Sequence, residues 1–232
     1  MKSDSAETLG SEPAAFDRLL AARSSCRGFL PGAVPRELIE RILQTAQRTP
    51  SWNNTQPWQI IVTQPAATEK LRRALQQEEG QPPGFEIEPP HDFQGVYLER
   101  RRACGWGLYA SVGIAKGDRE ASARQASENF RMFGAPHVAI VTTEKRLGGY
   151  TLVDCGAWVN NFLLACTSHG VASIAQAALA LRSPVLRRQF DIAADRQIVC
   201  GISFGYADPQ HPANRFRTTR ASLAEVVRWA EE

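Results

Sequence analysis

The stretch from Thr49 to Trp58, TPSWNNTQPW, gathers more special-purpose side chains than any other part of the sequence. Pro50 and Pro57 fix the backbone at either end, stopping a preceding helix and starting a following strand. Between them Ser51, Asn53, Asn54, Thr55 and Gln56 supply short polar groups, while Trp52 and Trp58 add two large flat surfaces. Many donors and acceptors on a rigid path between apolar elements suit a loop that holds a planar, heteroatom-rich ligand. The alternative is an ordered loop whose amides tie down only its own backbone. A second candidate is RSSCRGF, from Arg23 to Phe29. In an extended segment Arg23, Ser25 and Arg27 fall on one side, where two guanidinium groups and a hydroxyl could close on one phosphate. A solvated edge with its charges in water would use the same residues.

Other chemistries fit less well. Cys26, Cys104, Cys155, Cys166 and Cys200 are scattered and odd in number, with no CxxC pair. Neither a disulfide framework nor a zinc knuckle is indicated, and a reducing cytoplasm fits best. Among the histidines only His169 lies near a cysteine, Cys166, and that pair has no further partner for a metal. A thiol enzyme built on Cys155 or Cys166 with His169 is conceivable, but both cysteines fall within an apolar helix, where free Cys is usually inert packing. Gly105, Gly107 and Ala110 spell GxGxxA. A dinucleotide fingerprint must follow a strand and open a helix, whereas ERRRAC ahead of it reads as helix interior. Arg100, Arg101 and Arg102 then form a solvated face.

These segments need a scaffold, and 232 residues with 43% hydrophobic content can build one. A net charge of +3 from 27 basic and 24 acidic residues is too balanced for nucleic acid or an anionic membrane as main partner. No apolar run reaches the roughly 20 residues that span a bilayer. Residues 1–12 read as a flexible polar tail, and 13–232 as one domain. Helical spacing predicts helices over Pro13 to Arg23, Pro35 to Arg48, Ala66 to Glu79, Leu98 to Val112, Asp118 to Phe133, Tyr150 to His169, Pro184 to Phe190 and Ser222 to Trp229. Strands are expected at Trp58 to Thr63, His137 to Thr142, Val171 to Ile174 and Ile198 to Phe204. Gly80 to Asp92 is too proline-rich for a regular element and reads as a surface excursion or lid. The Tyr150 helix, about 28 Å long at roughly 1.5 Å per residue, is apolar nearly all round. Burial on most sides implies that a second subunit covers one of its faces. Helices and strands interleave without a clean βαβ period, which predicts an α+β layer fold.

Taken in order, the pieces resemble the nitroreductase family of flavin enzymes. RSSCRGF resembles its N-terminal phosphate-binding run, with Ser24 where a second basic residue is common. PSWNNTQPW resembles its flavin loop, and GVASIAQAA, from Gly170, the turn that passes the isoalloxazine ring. NFRMFGAP, from Asn129, and NRFRTTR, from Asn214, complete a likeness running from Phe16 to Trp229. The resemblance implies a three-layer fold with a central, mostly antiparallel sheet flanked by helices, and an intertwined homodimer with FMN at its interface. Arg23, Ser24, Ser25 and Arg27 would hold the FMN phosphate and ribityl chain, with Arg217 and Arg220 returning from the C-terminal segment. Pro50, Ser51, Trp52, Asn54 and Gln56 would come from the neighbouring subunit. Ala175, Gln176, Ala177 and Ala178 would run along the ring edge. The family often has a proline and an acidic residue in this turn; Ala175 and Ala177 stand there instead.

The implied activity is hydride transfer from NAD(P)H to flavin and then to a nitroaromatic or quinone-like acceptor, by a ping-pong mechanism. Trp52 and Phe133 are candidates for the substrate wall, with core or interface packing as their other reading. No side-chain acid or base and no metal is expected. Alternatives are other flavin chemistry on the same fold, such as reductive dehalogenation, oxidation or flavin breakdown, and a non-catalytic flavin-binding protein.

Overall fold

The computed structural model describes residues 4–78 and 80–230. Its helices are α1 (Asp4–Ala22), α2 (Arg36–Ala46), α3 (Pro65–Gln77), α4 (Gly95–Ser111), α5 (Arg119–Ser127), α6 (Tyr150–Ser168), α7 (Ala177–Ala180), α8 (Ser183–Phe190) and α9 (Leu223–Val226). Among the described residues, β1 (Trp58–Val62), β2 (His137–Glu144), β3 (Ala172–Gln176) and β4 (Arg196–Gly205) form one antiparallel sheet in the order β1-β2-β4-β3.

The central strand β2 explains the layering. Its side chains alternate between two apolar clusters: Val138 and Ile140 join Leu71, Leu75 and Leu186, whereas Ala139 and Val141 join Ile39, Ile42, Trp158 and Phe162. A strand buried on both faces needs helices over both. α3 and α8 cover the first face, α2 and α6 the second, which is the α+β layering that the element order predicted and the three layers that the resemblance implied. Trp158 and Phe162 of α6 are almost wholly buried, each contributing on the order of 2 kcal/mol by area removed from water.

α6 is not covered all round. Tyr150 and Val153 are 68% and 67% exposed, Ala157 and Asn160 are exposed beside them, and α1 leaves Phe16 and Leu20 in solvent as well.

Several boundaries differ from expectation. α1 begins at Asp4 rather than Pro13, running back through much of the expected tail; residues 1–3 lie outside the described residues. α3 ends at Gln77, and Glu79 of the expected helix lies outside them too. The helix expected over Asp118 to Phe133 stops at Ser127. Beyond it Asn129 Nδ2 donates to Ala126 O, and Met132 and Phe133 take left-handed φ of 55° and 53°, which no helix tolerates. The helix expected over Ser222 to Trp229 shrinks to Leu223–Val226. Ser222 and Glu225 form a capping box, but Leu223, Val226 and Trp229 are exposed. A short helix without packing does not propagate.

Gly80 to Asp92 forms no helix or strand, as its prolines predict. Glu86 clamps its middle: the carboxylate accepts from Arg187 Nε and Nη2 at 2.7 and 2.8 Å and from Ile198 N–H at 2.9 Å. Burial alone would raise the Glu86 pKa, but the Arg187 and Ile198 hydrogen bonds outweigh it and hold it low.

His137, at the start of β2, is fully buried. Its Nε2 accepts from Val34 N–H and its Nδ1 lies against Thr63 O, both at 2.9 Å, which places the proton on Nδ1. Burial lowers its pKa below the ordinary 6.5, against a smaller opposing effect of Thr63 O. The stability this neutral ring contributes is therefore fully present above the unfolded value of 6.5 and is lost as pH falls from there through the folded value. Urea unfolding of the flavin-free protein should show stability declining below pH 6.5 by up to about 1.4 kcal/mol per pH unit from this one group. His137→Gln, compared at each pH, should remove that slope; an unchanged slope contradicts the assignment.

Candidate functional site

The run from Arg23 to Phe29 is extended and stitched to the sheet. Ser25 bridges Ser173 of β3, Cys26 N–H donates to Ser173 O at 3.1 Å, and Phe29 N–H to Phe133 O at 3.2 Å. Cys26 is buried and its thiol pKa is raised by burial. Arg23, Ser25 and Arg27 face the other way, as the alternation predicts, and line a cavity of ≈ 330 Å³. Ser24 lines it too, and Arg217 and Arg220 close it from the C-terminal segment. The structure thus brings together all six residues assigned to a phosphate.

The electrostatics of this cradle are unbalanced. Among the described residues none of Arg23, Arg27, Arg217 and Arg220 forms an ion pair with a carboxylate. Burial lowers the Arg23 pKa, and the neighbouring Arg220 and Arg217 charges lower it further. Burial lowers that of Arg27 as well, against small opposing effects of Cys104 and Cys26. Four guanidinium groups converging without a counterion suit a dianion, because charged bidentate hydrogen bonds to phosphate would relieve the repulsion. The donor set therefore fits a phosphorylated ligand.

Sequence reading missed three supports of the cradle. Asn214 accepts from Arg27 N–H at 2.7 Å and donates to Gly28 O at 2.8 Å, tying the two ends of the chain together. Cys104 of α4 forms part of the wall. Gly107 has a packing role: a Cβ there would sit 2.6 Å from the Phe216 ring. Both Gly105 and Gly107 lie inside α4, where a dinucleotide fingerprint has no place.

Beyond Ser173, β3 carries the chain to Ala175, roughly 7 Å further at about 3.3 Å per residue. Ala175 and Ala177 are exposed and Ala178 half-buried. The Gln176 side chain turns inward, where its Nε2 donates to Asn129 O at 3.0 Å and its Oε1 accepts from Ser203 Oγ. Gln176 thus fixes the turn from beneath, leaving a small-residue backbone edge facing out.

The Thr49–Trp58 loop stands apart. No described cavity is lined by both this loop and the arginine run. Residues 52–56 are exposed, while Pro57 and Trp58 are buried. The reading in which the loop ties down its own backbone holds in part. Its amides do bind its own backbone, through Gln56 N–H to Ser51 Oγ at 2.9 Å and Gln56 Nε2 to Asn54 O at 3.3 Å. Yet Trp52 is 56% exposed, and Asn53, Asn54 and Gln56 hold left-handed φ of 49°, 56° and 46°. Pro50 is exposed and Ser51 half-buried at the loop's start. Phe133 is nearly buried in the sheet core and lines a separate cavity of ≈ 740 Å³, which Arg27 and Gly28 also line.

A thiol mechanism does not fit. Cys155 and Cys166 are buried, and burial raises both thiols, Cys155 to about 11. His169 stands exposed at the end of α6.

Comparison with known proteins agrees with the geometry. A family model described as Nitroreductase family matches residues 20–206. Nitroreductase NfnB of Mycolicibacterium smegmatis is 36% identical over 223 residues, covering 93% of both chains. A 4-nitrobenzoate reductase of Nocardioides sp. is 34% identical, covering 92% of this chain and 89% of its own. The crystal structure of the FMN-dependent NfnB from Mycobacterium smegmatis in complex with NADPH superposes with a TM-score of 0.89 at 34% identity, over 94% of this chain and 99% of that one.

Proposed function

This chain belongs to the nitroreductase family, and on that premise we propose that two copies of it assemble around FMN to reduce small aromatic oxidants. It is a flavin-dependent oxidoreductase acting on nitroaromatics, the class to which its full-length relatives belong. The observation that carries the reading is the arginine cradle, whose charges have no carboxylate counterion among the described residues. When bound, FMN supplies the hydride chemistry, by which reducing equivalents pass from NAD(P)H to a nitroaromatic or quinone-like acceptor in two alternating half-reactions.

The chain's own residues bind and orient. Arg23, Ser24, Ser25 and Arg27, with Arg217 and Arg220, would hold the phosphate and ribityl chain. The exposed backbone of Ala175, Gln176, Ala177 and Ala178 would follow the ring edge, where small side chains permit close approach. Pro50, Ser51, Trp52, Asn54 and Gln56 would complete the site from the second copy, since the loop is turned to solvent and shares no cavity with the cradle. Trp52 and Phe133 would wall the substrate pocket. No side chain is assigned as acid or base. Residues 13–232 act as one flavin-binding domain, in the cytoplasm. Among the described residues no helix is long and apolar enough to cross a membrane.

Steady-state turnover is the test of the reaction class. NADPH with a nitroarene such as 4-nitrobenzoate, or with a quinone, is expected to turn over; no turnover with any such oxidant would overturn the reading.

A further inference from the structure

α6 meets the Thr49–Trp58 loop at two points on one face. Residues seven apart on a helix return to within about 20° of each other, so Asp154 and Asn161 point the same way. Asn161 Nδ2 donates to Thr49 Oγ1 at 2.7 Å, at the loop's entrance. Asp154 accepts Trp52 N–H on Oδ1 and Oδ2 at 3.2 and 3.3 Å. One turn earlier, Tyr150 meets the Trp52 ring edge-on, with centroids 4.7 Å apart. Asp154 forms no ion pair among the described residues.

The loop needs such a hold. A left-handed conformation costs a non-glycine residue roughly 1 kcal/mol, and Asn53, Asn54 and Gln56 all adopt one in solvent-exposed chain. Nothing within residues 52–56 is buried; the loop's own bonds, from Gln56 N–H to Ser51 Oγ and from Gln56 Nε2 to Asn54 O, hold its far end, and contacts from outside hold Trp52. Gln47 Nε2 donates to Gln56 Oε1 at 3.0 Å, and Trp52 is held by its backbone through Asp154 and by its ring through Tyr150.

The geometry points to Asp154 as a positioning residue that sets where Trp52 is presented, and thereby the fit of the aromatic acceptor in the pocket of the second copy. This rests on the function proposed above. Asp154 touches no reacting atom; it acts through one N–H. An amide oxygen at the same place can still accept that N–H, though more weakly than a carboxylate, so the acceptor matters more than the charge.

Losing a wall contact that substrate and transition state share raises KM and leaves kcat unchanged. Asp154→Ala is therefore expected to raise KM for 4-nitrobenzoate about tenfold or more, with kcat per bound flavin within about twofold of wild type. Asp154→Asn should bring KM back to within about threefold. A second readout is independent of activity: hydrogen exchange at the Trp52 amide of the flavin-free protein should accelerate at least about tenfold in Asp154→Ala and stay slow in Asp154→Asn. Unchanged KM in Asp154→Ala, or Asp154→Asn as impaired as Asp154→Ala, overturns the proposal. So does a loss of Tm in step with KM, which would mark a merely structural residue. If wild type is not reduced by NADPH, the proposed function fails instead, and unaltered Trp52 exchange in Asp154→Ala would then refute the positioning role by itself.

Discussion

Replacing Arg23 and Arg220 together by alanine is expected to yield a colourless protein whose affinity for FMN has fallen at least about a hundredfold. Each hydrogen-bonded charge contributes about 1.5–3 kcal/mol, and 1.36 kcal/mol is a factor of ten, so two lost forks amount to roughly 10² to 10⁴. The sign of the accompanying stability change distinguishes a ligand site from a structural one. In the chain alone burial depresses the Arg23 pKa, Arg220 and Arg217 depress it further, and among the described residues no carboxylate pairs with it. Removing two of these charges should leave the flavin-free protein as stable as wild type or slightly more so. Riboflavin, which lacks the phosphate, should bind wild type and variant alike. Arg23→Lys keeps the charge and loses the planar fork, and should fall between. Retention of FMN by the double variant, measured by fluorescence titration, would show that the phosphate lies elsewhere.

The second large effect concerns assembly. Val153→Asp puts a carboxylate in the middle of the α6 face formed by Tyr150, Val153, Ala157 and Asn160. In an isolated chain this position is 67% exposed, and a surface change of this kind costs within about 0.5 kcal/mol. At an interface the same carboxylate is buried without a partner, at a cost of about 3–5 kcal/mol. Two-fold symmetry introduces it twice. The dimer should weaken by at least about a thousandfold, and the monomer should lose flavin, because the Pro50–Gln56 loop then has no second copy to serve. Sedimentation with absorbance detection reads both. A variant that stays dimeric puts the interface on another face, and one that becomes monomeric yet keeps its flavin removes the loop from the site.

Much of this was legible in the residues, and for identifiable reasons. The alternation Val138, Ala139, Ile140, Val141 reads as a strand buried on both faces, and Tyr150 to Ser168 as a helix without a polar side. The spacing of Arg23, Ser25 and Arg27 needs only extended backbone to converge, and the Ser25–Ser173 bridge provides it. What could not be read depends on partners far away in sequence. Asn214 clamps Arg27, Asp154 clamps Trp52, and Gln176 turns inward to Asn129 and Ser203. Nothing local marks any of them as a clamp. Met132 and Phe133 look like the end of a helix, but the turn into β2 forces both left-handed. The C-terminal helix failed for want of anything to pack against, where amphipathic spacing alone suggested more.

The central claim, that this chain holds a redox-active flavin reducible by a nicotinamide dinucleotide, is tested most directly by one absorbance experiment on the purified protein, reconstituted with FMN where needed. The spectrum should show bound flavin, and NADPH added without oxygen should bleach it, with colour returning when a nitroarene is supplied. A protein that takes up no FMN, or whose bound flavin stays oxidised under NADPH, would contradict the account.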